Sequence, residues 1–246
     1  MNNHSKSDSR PLSPRQRWTW VVVFAIAMAW MEAAVVYYLR TLGHRLDPHQ
    51  TDALPSIPGL AEVEAIREAA TLIMLWIVGL VAGENSRSRW GYGAIAFGVW
   101  DIFYYVFLRV ICHWPGSLLE WDLLFLLPLP WWGPVLAPVL IAILMIAWGT
   151  LATQGGPFPH AFRAEWRAWL ANGAGILLAL YVFMEESLHP RGPEKLHHGL
   201  PPTFPFNWPL FIVALLLLAT PVITTGHRVL RRARLNSSAL TAAQPT

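Results

Sequence analysis

Four ionisable residues crowd the start of one apolar stretch. Residues 61–83 read AEVEAIREAATLIMLWIVGLVAG, and Glu62, Glu64, Arg67 and Glu68 enter a run that is otherwise plain membrane helix. Further ionisable groups interrupt other apolar runs: Glu32, Asp101, Arg109, and the pair Glu185-Glu186 followed by His189. A charged side chain at the centre of a bilayer costs about 2.5–3.5 kcal/mol even on the forgiving insertion scale. Such groups therefore face the bundle interior, find partners, or carry function.

Three chemistries fit these residue types. The first is metal binding. Glu186-Ser-Leu-His189 is a Glu-x-x-His pair, and two-metal carboxylate sites in helix bundles combine such pairs with single Glu residues from other helices. On that reading Glu68, Glu185, Glu186 and His189 are the ligands and the ion is a divalent metal such as Fe, Zn or Mn. Only one Glu-x-x-His is present, so His113, His197 or His198 would have to replace the second. The His-rich loop itself, with His44 and His49 in the same compartment, lacks metal-ligand spacing. The second chemistry is acid–base work on, or binding of, a lipid head group or other small polar ligand. Glu32, Glu68 and Asp101 would be the acid–base groups, and Arg67 and Arg109 would orient carboxylates or hold an anionic group. The third is structural: an ion-pair network that only locks helix packing. Beside these stands a small transporter or proton pathway, which the cytoplasmic halves serve poorly, because they hold few polar groups beyond Asn172, Thr220, Thr224 and Thr225.

The elements that position these groups are apolar runs. The chain has 246 residues, 54% hydrophobic and only 13% charged, against roughly 25% charged in soluble domains. With a mean hydropathy of +0.39, this describes an all-α, polytopic integral membrane protein. Spans are expected at residues 18–39, 61–82, 90–111, 134–151, 166–188 and 208–230. Residues 1–17 and 231–246 read as polar tails flanking that six-helix domain. Residues 118–127 are apolar but short, and Pro128 and Pro130 follow at once. They predict a short interfacial or re-entrant helix before the fourth span, a lid over the polar groups.

Composition also excludes classes. The single cysteine, Cys112, rules out an internal disulfide and any multi-cysteine metal centre. There is no Gly-rich phosphate loop. The net charge of +3 gives no reason to expect nucleic acid, because most of the basic residues form membrane anchors. The expected partners are the lipid bilayer, a lipid or small polar ligand, and another membrane protein.

Charge asymmetry orients the chain. Lys6, Arg10, Arg15, Arg17, Arg87, Arg89, Arg163, Arg167, Arg228, Arg231, Arg232 and Arg234 fall on one side of six spans. The other side carries only Arg40, Arg45, Arg109, Arg191 and Lys195, with Arg67 at a helix mouth. The positive-inside rule makes the first side cytoplasmic, with both termini there and the chain in a plasma (inner) membrane. A rise of ~1.5 Å per residue puts Glu32 and Glu68 at one level, roughly 21 Å from that side. Asp101 lies below them, and Arg109, Glu185, Glu186 and His189 form a rim above. A site requires Glu32, Glu68 and Asp101 to converge, with Arg67 beside Glu32 or Glu64, Arg109 beside Glu185 or Glu186, and Tyr105 turned inward.

Overall fold

The computed structural model describes residues 11–42, 59–155, 166–189 and 205–242. The elements are α1 (Pro14–Leu42), α2 (Leu60–Ala82), α3 (Ser86–Cys112), β1 (Trp121–Phe125), β2 (Trp131–Pro134), α4 (Leu136–Gln154), α5 (Trp166–Phe183), α6 (Glu185–Leu188), α7 (Trp208–Leu218) and α8 (Thr220–Ala242). Six of the described helices or helix pairs are long and apolar enough to cross a membrane, with α7 and α8 together supplying the sixth, Trp208–Leu235. That is compatible with a multi-pass membrane protein.

Helix ends follow their local chemistry. The turn between α2 and α3 is set by Asn85, whose side chain accepts from the Ser88 amide at 3.1 Å while the Ser88 hydroxyl accepts from the Asn85 amide at 3.1 Å. This reciprocal cap satisfies two amides that the helix leaves open. Pro138 falls in the first turn of α4, where a missing N–H costs nothing. Pro221 does interrupt its span. It cannot donate to the Leu217 carbonyl, and the Thr220 hydroxyl reaches that oxygen instead, at 2.7 Å. α8 then continues to Ala242, past the end expected at residue 230, and α1 begins at Pro14, inside the stretch expected as a tail.

Packing centres on α3. Ala25, Ala29 and Ala33 of α1 are fully buried at a spacing of one helical turn, forming a small-residue seam. Against it and Leu75 of α2 pack Tyr92, Ile95, Ala96, Val99 and Trp100 of α3. Both α1 and α2 lie on α3 far more than on each other. α4 approaches α3 so closely that a Cβ on Gly149 would stand 2.4 Å from the Gly91 carbonyl oxygen. A second core joins Ala137 of α4, Ala179, Val182 and Phe183 of α5, and Phe211 and Ala214 of α7.

The segment before α4 is not the expected short helix. Trp121–Phe125 and Trp131–Pro134 pair as an antiparallel hairpin, with Trp121 opposite Pro134 and Asp122 opposite Gly133. The register shifts between Leu123 and Phe125. Pro134 cannot donate to a ladder, and a two-stranded ribbon leaves it an edge where none is needed. Phe125 packs against both Trp131 and Phe97, so the hairpin rests on α3 through aromatic contacts.

Candidate functional site

The polar groups collect where the hairpin meets the helices. On α2, Glu64 and Arg67 are three residues apart and therefore share a face. Arg67 donates through Nε to Glu64 at 2.9 Å and through a terminal nitrogen to its other oxygen at 2.5 Å, a two-pronged pair. Its other terminal nitrogen pairs with Glu32 of α1. The Thr71 hydroxyl, one turn further along α2, donates to the second Glu32 oxygen at 3.4 Å. One guanidinium thus joins α1 to α2 through Glu32, while Glu64 braces it from its own helix.

Glu68 follows on the same helix and is buried at 8% exposure. Its carboxylate accepts the amide of Leu126, in the tip of the hairpin, at 2.9 and 3.2 Å. Arg67, Glu64 and Glu32 all lie within its electrostatic reach. The sequence had placed Glu32 and Glu68 at one level, and they do belong to one charge group.

Asp101 belongs to a second group. It is buried at 7% exposure on α3, and its Oδ2 has no hydrogen-bond partner among the described residues. The charged group that faces it is Asp122 of β1. Asp122 accepts the Tyr105 hydroxyl at 3.1 Å, so Tyr105 does turn inward, one helical turn from Asp101. Burial pushes the Asp122 carboxyl up to about 6, with Arg40 and the Tyr105 hydrogen bond acting against that rise. Arg40, at the end of α1, stacks over the Trp114 ring at 4.4 Å. Tyr104 lies between the groups, within electrostatic reach of Asp122 and Arg40 on one side and of Glu32 and Arg67 on the other.

Other expected partnerships are not seen among the described residues. Arg109 is exposed and donates to the His113 carbonyl at the end of its own helix, not to Glu185 or Glu186. The proposed metal ligands divide across the hairpin. Glu68 reaches it from α2, whereas Glu185 and Glu186 lie on α6, on the side where Ser187 donates to the Pro130 carbonyl at 2.7 Å. His189 is exposed, with its ring against Tyr181. Among the described residues no three His, Cys, Asp or Glu side chains gather as a metal site. The geometry offers no support for Fe, Zn or Mn binding. His44, His49, His197 and His198 lie outside the described residues.

Several functional-looking residues escaped the sequence reading. Thr71 gave no signal, because hydroxyl residues in apolar helices are common and usually bond their own backbone. Glu120 accepts the amides of Gly116 and Ser117 at 3.0 and 3.1 Å and shapes the turn into β1. A Ser-x-x-Glu pattern over 117–120 was the available hint.

No protein-family model matches this sequence, and no curated protein and no solved structure matches it.

Proposed function

We propose that this multi-pass membrane protein binds a polar head group at the end of the α1–α3 bundle roofed by the hairpin, on the outward side of a plasma membrane. The observation that carries the reading is Asp101. Glu32, Glu64 and Glu68 of the other charge group and the adjacent Asp122 each accept a hydrogen bond from the protein, yet Asp101 Oδ2 is buried with no hydrogen-bond partner among the described residues. A buried acceptor without a donor costs about 1–3 kcal/mol, which a purely structural residue gives no reason to bear. In this reading Asp101 meets the ligand, Asp122 and Tyr105 position it, and the Glu32–Arg67–Glu64 bridge is a rigid frame. Arg67 already serves two carboxylates, so the ligand's recognised part is a donor or a cation, not an anion.

A second reading has its own support: the same engaged carboxylates suit a non-catalytic scaffold in which charge only fixes the helices and the hairpin. Asp101→Asn separates the two. For a ligand-facing group, the variant unfolds at the wild-type temperature or higher, and a co-purifying lipid seen by native mass spectrometry is lost. A clear fall in melting temperature with lipid retained would assign Asp101 to structure.

A further inference from the structure

The last helix carries a second surface, at the end of the bundle opposite the hairpin. α8 packs on α4 and α5, and a Cβ on Gly226 would stand 3.7 Å from Leu151 Cδ1, one turn before the end of α4. Arg87 donates to the Leu151 carbonyl at 3.1 Å, so the turn between α2 and α3 stands at the same level. Pro221 and Thr225 of α8 are buried toward the bundle. Ile223, His227, Leu230, Arg231 and Arg234 are exposed. Their positions run i, i+4, i+7, i+8 and i+11, which puts them on one face of the helix. The two aliphatic members are well outside the packed core, Ile223 at 52% and Leu230 at 61% exposure.

Depth puts the two parts of this face in different surroundings. The sixth span starts at Trp208, a residue type that prefers the membrane interface. At ~1.5 Å per residue, a hydrocarbon core of ~30 Å takes about 20 residues and ends near Arg228. Ile223 therefore meets acyl chains, and Leu230 lies at the boundary. Arg231 and Arg234 stand one to two turns beyond Arg228, at the level of the head groups. The charge there has one sign. The chain has no Asp or Glu from residue 195 onward, and α4 and α5 add none. Glu84, on the turn between α2 and α3, is held by Arg17 at 2.6 Å. Aliphatic side chains at the depth of tails, followed by guanidinium groups at the depth of phosphates, match a phospholipid of net negative charge. Guanidinium suits phosphate because it can donate two parallel hydrogen bonds. A zwitterionic head group brings its own cation, which the arginines repel. A soluble polyanion cannot use Ile223, which lies within the hydrocarbon.

We propose that this face of α8 docks an anionic phospholipid, with an acyl chain along Ile223 and Leu230 and the phosphate on Arg231 and Arg234. The surface is separate from the group around Asp101 and stands or falls independently of it.

The test titrates delipidated full-length protein, in a nonionic detergent, with phosphatidylglycerol and separately with phosphatidylcholine, and follows bound lipid by native mass spectrometry. The tightest site is expected to prefer phosphatidylglycerol. Arg231→Gln is expected to weaken that site about fivefold and to leave phosphatidylcholine binding as it was. Arg15→Gln removes the same charge from an exposed position at the start of α1 and is expected to bind like wild type. Equal binding of the two lipids, or wild-type affinity in Arg231→Gln, overturns the proposal. An equal loss in Arg15→Gln also overturns it, since the preference would then belong to overall charge and not to this face. If Arg231→Gln does not fold, Arg234→Gln decides by the same criteria. Glycerol 3-phosphate, a head group without chains, is expected not to displace phosphatidylglycerol. Displacement at matched concentration would assign the arginines to a soluble phosphate and overturn the lipid assignment.

Discussion

The hairpin has two unlike sides. Toward α2 and α3 it is held by ionisable groups: Glu68 accepts the Leu126 amide, and Asp122 accepts the Tyr105 hydroxyl. Toward α6 it is held by a neutral contact, the Ser187 hydroxyl on the Pro130 carbonyl at 2.7 Å. On the first side Glu68 and Asp122 join elements, while Asp101 of α3 keeps one buried oxygen without a hydrogen-bond partner among the described residues. The second leaves Glu186 with a buried oxygen that has no hydrogen-bond partner among the described residues. Glutamates on the two sides of one hairpin thus serve opposite ends, and depth along the span does not say which end each serves. What distinguishes them is whether a donor stands opposite.

The largest effect should come from the guanidinium that organises the first side. Arg67→Met leaves Glu32 and Glu64 facing each other in a largely buried site, and removing one member of such a group costs about 3 kcal/mol. A large fall in melting temperature is expected. Converting all three together, Glu32→Gln, Glu64→Gln and Arg67→Met, should recover most of that loss. If Arg67→Met melts like wild type, the first side is not held by charge and the contrast collapses.

A smaller effect follows from Asp122. Its carboxyl is raised to about 6 by burial, above an unfolded value near 3.9. The folded state therefore binds the proton more tightly than the unfolded one. The resulting stability is fully present below the unfolded value and is lost as pH rises through about 6. For this half-buried group the loss between pH 4 and 7 is about 2 kcal/mol. Thermal melts across that range should show the decline in the wild type and a flatter profile in Asp122→Asn. An unchanged profile in Asp122→Asn would assign the decline to another group.

The smallest effects sharpen the contrast directly. Glu68→Gln keeps an acceptor for the Leu126 amide but removes its charge, and should cost about 1 kcal/mol. Ser187→Ala removes a neutral hydrogen bond and should cost at most about 1 kcal/mol. Hydrogen exchange at the Leu126 amide should quicken in the first variant and not in the second. Equal quickening in both would mean that the hairpin opens as one piece and that its sides are not independent.

How much of this could be read from the residues alone varies by type of signal. Six long apolar runs stand out because a span needs length and composition, and both are local. The Arg67–Glu64 pairing follows from spacing on one helix, and the partnership with Glu32 from matched depth. The hairpin was hidden. A short apolar run bounded by prolines is the case in which strand and helix patterns coincide, and LLFLLPLPWW has no alternation to separate them. Depth also could not say which side of the hairpin a carboxylate would occupy. Glu68 and Glu185 were therefore grouped as ligands although β1 and β2 stand between them. Arg109 misled for a related reason: it lies at the level of Glu185, yet the end of its own helix offers a nearer acceptor.

The bridge between α1 and α2 also bears on synthesis. These helices barely touch except through Glu32, Arg67 and Thr71 near one end, and through Arg17 on the Ala82 carbonyl and Glu84 at the other. The ribosome delivers α1 first, so Glu32 is made before the guanidinium that pairs with it. Arg67 arrives with the next helix and is the earliest available relief, while the apolar seam on α3 is still unmade. The first two helices can thus be joined by charge as soon as both are made, whereas the packed core on α3 requires the third.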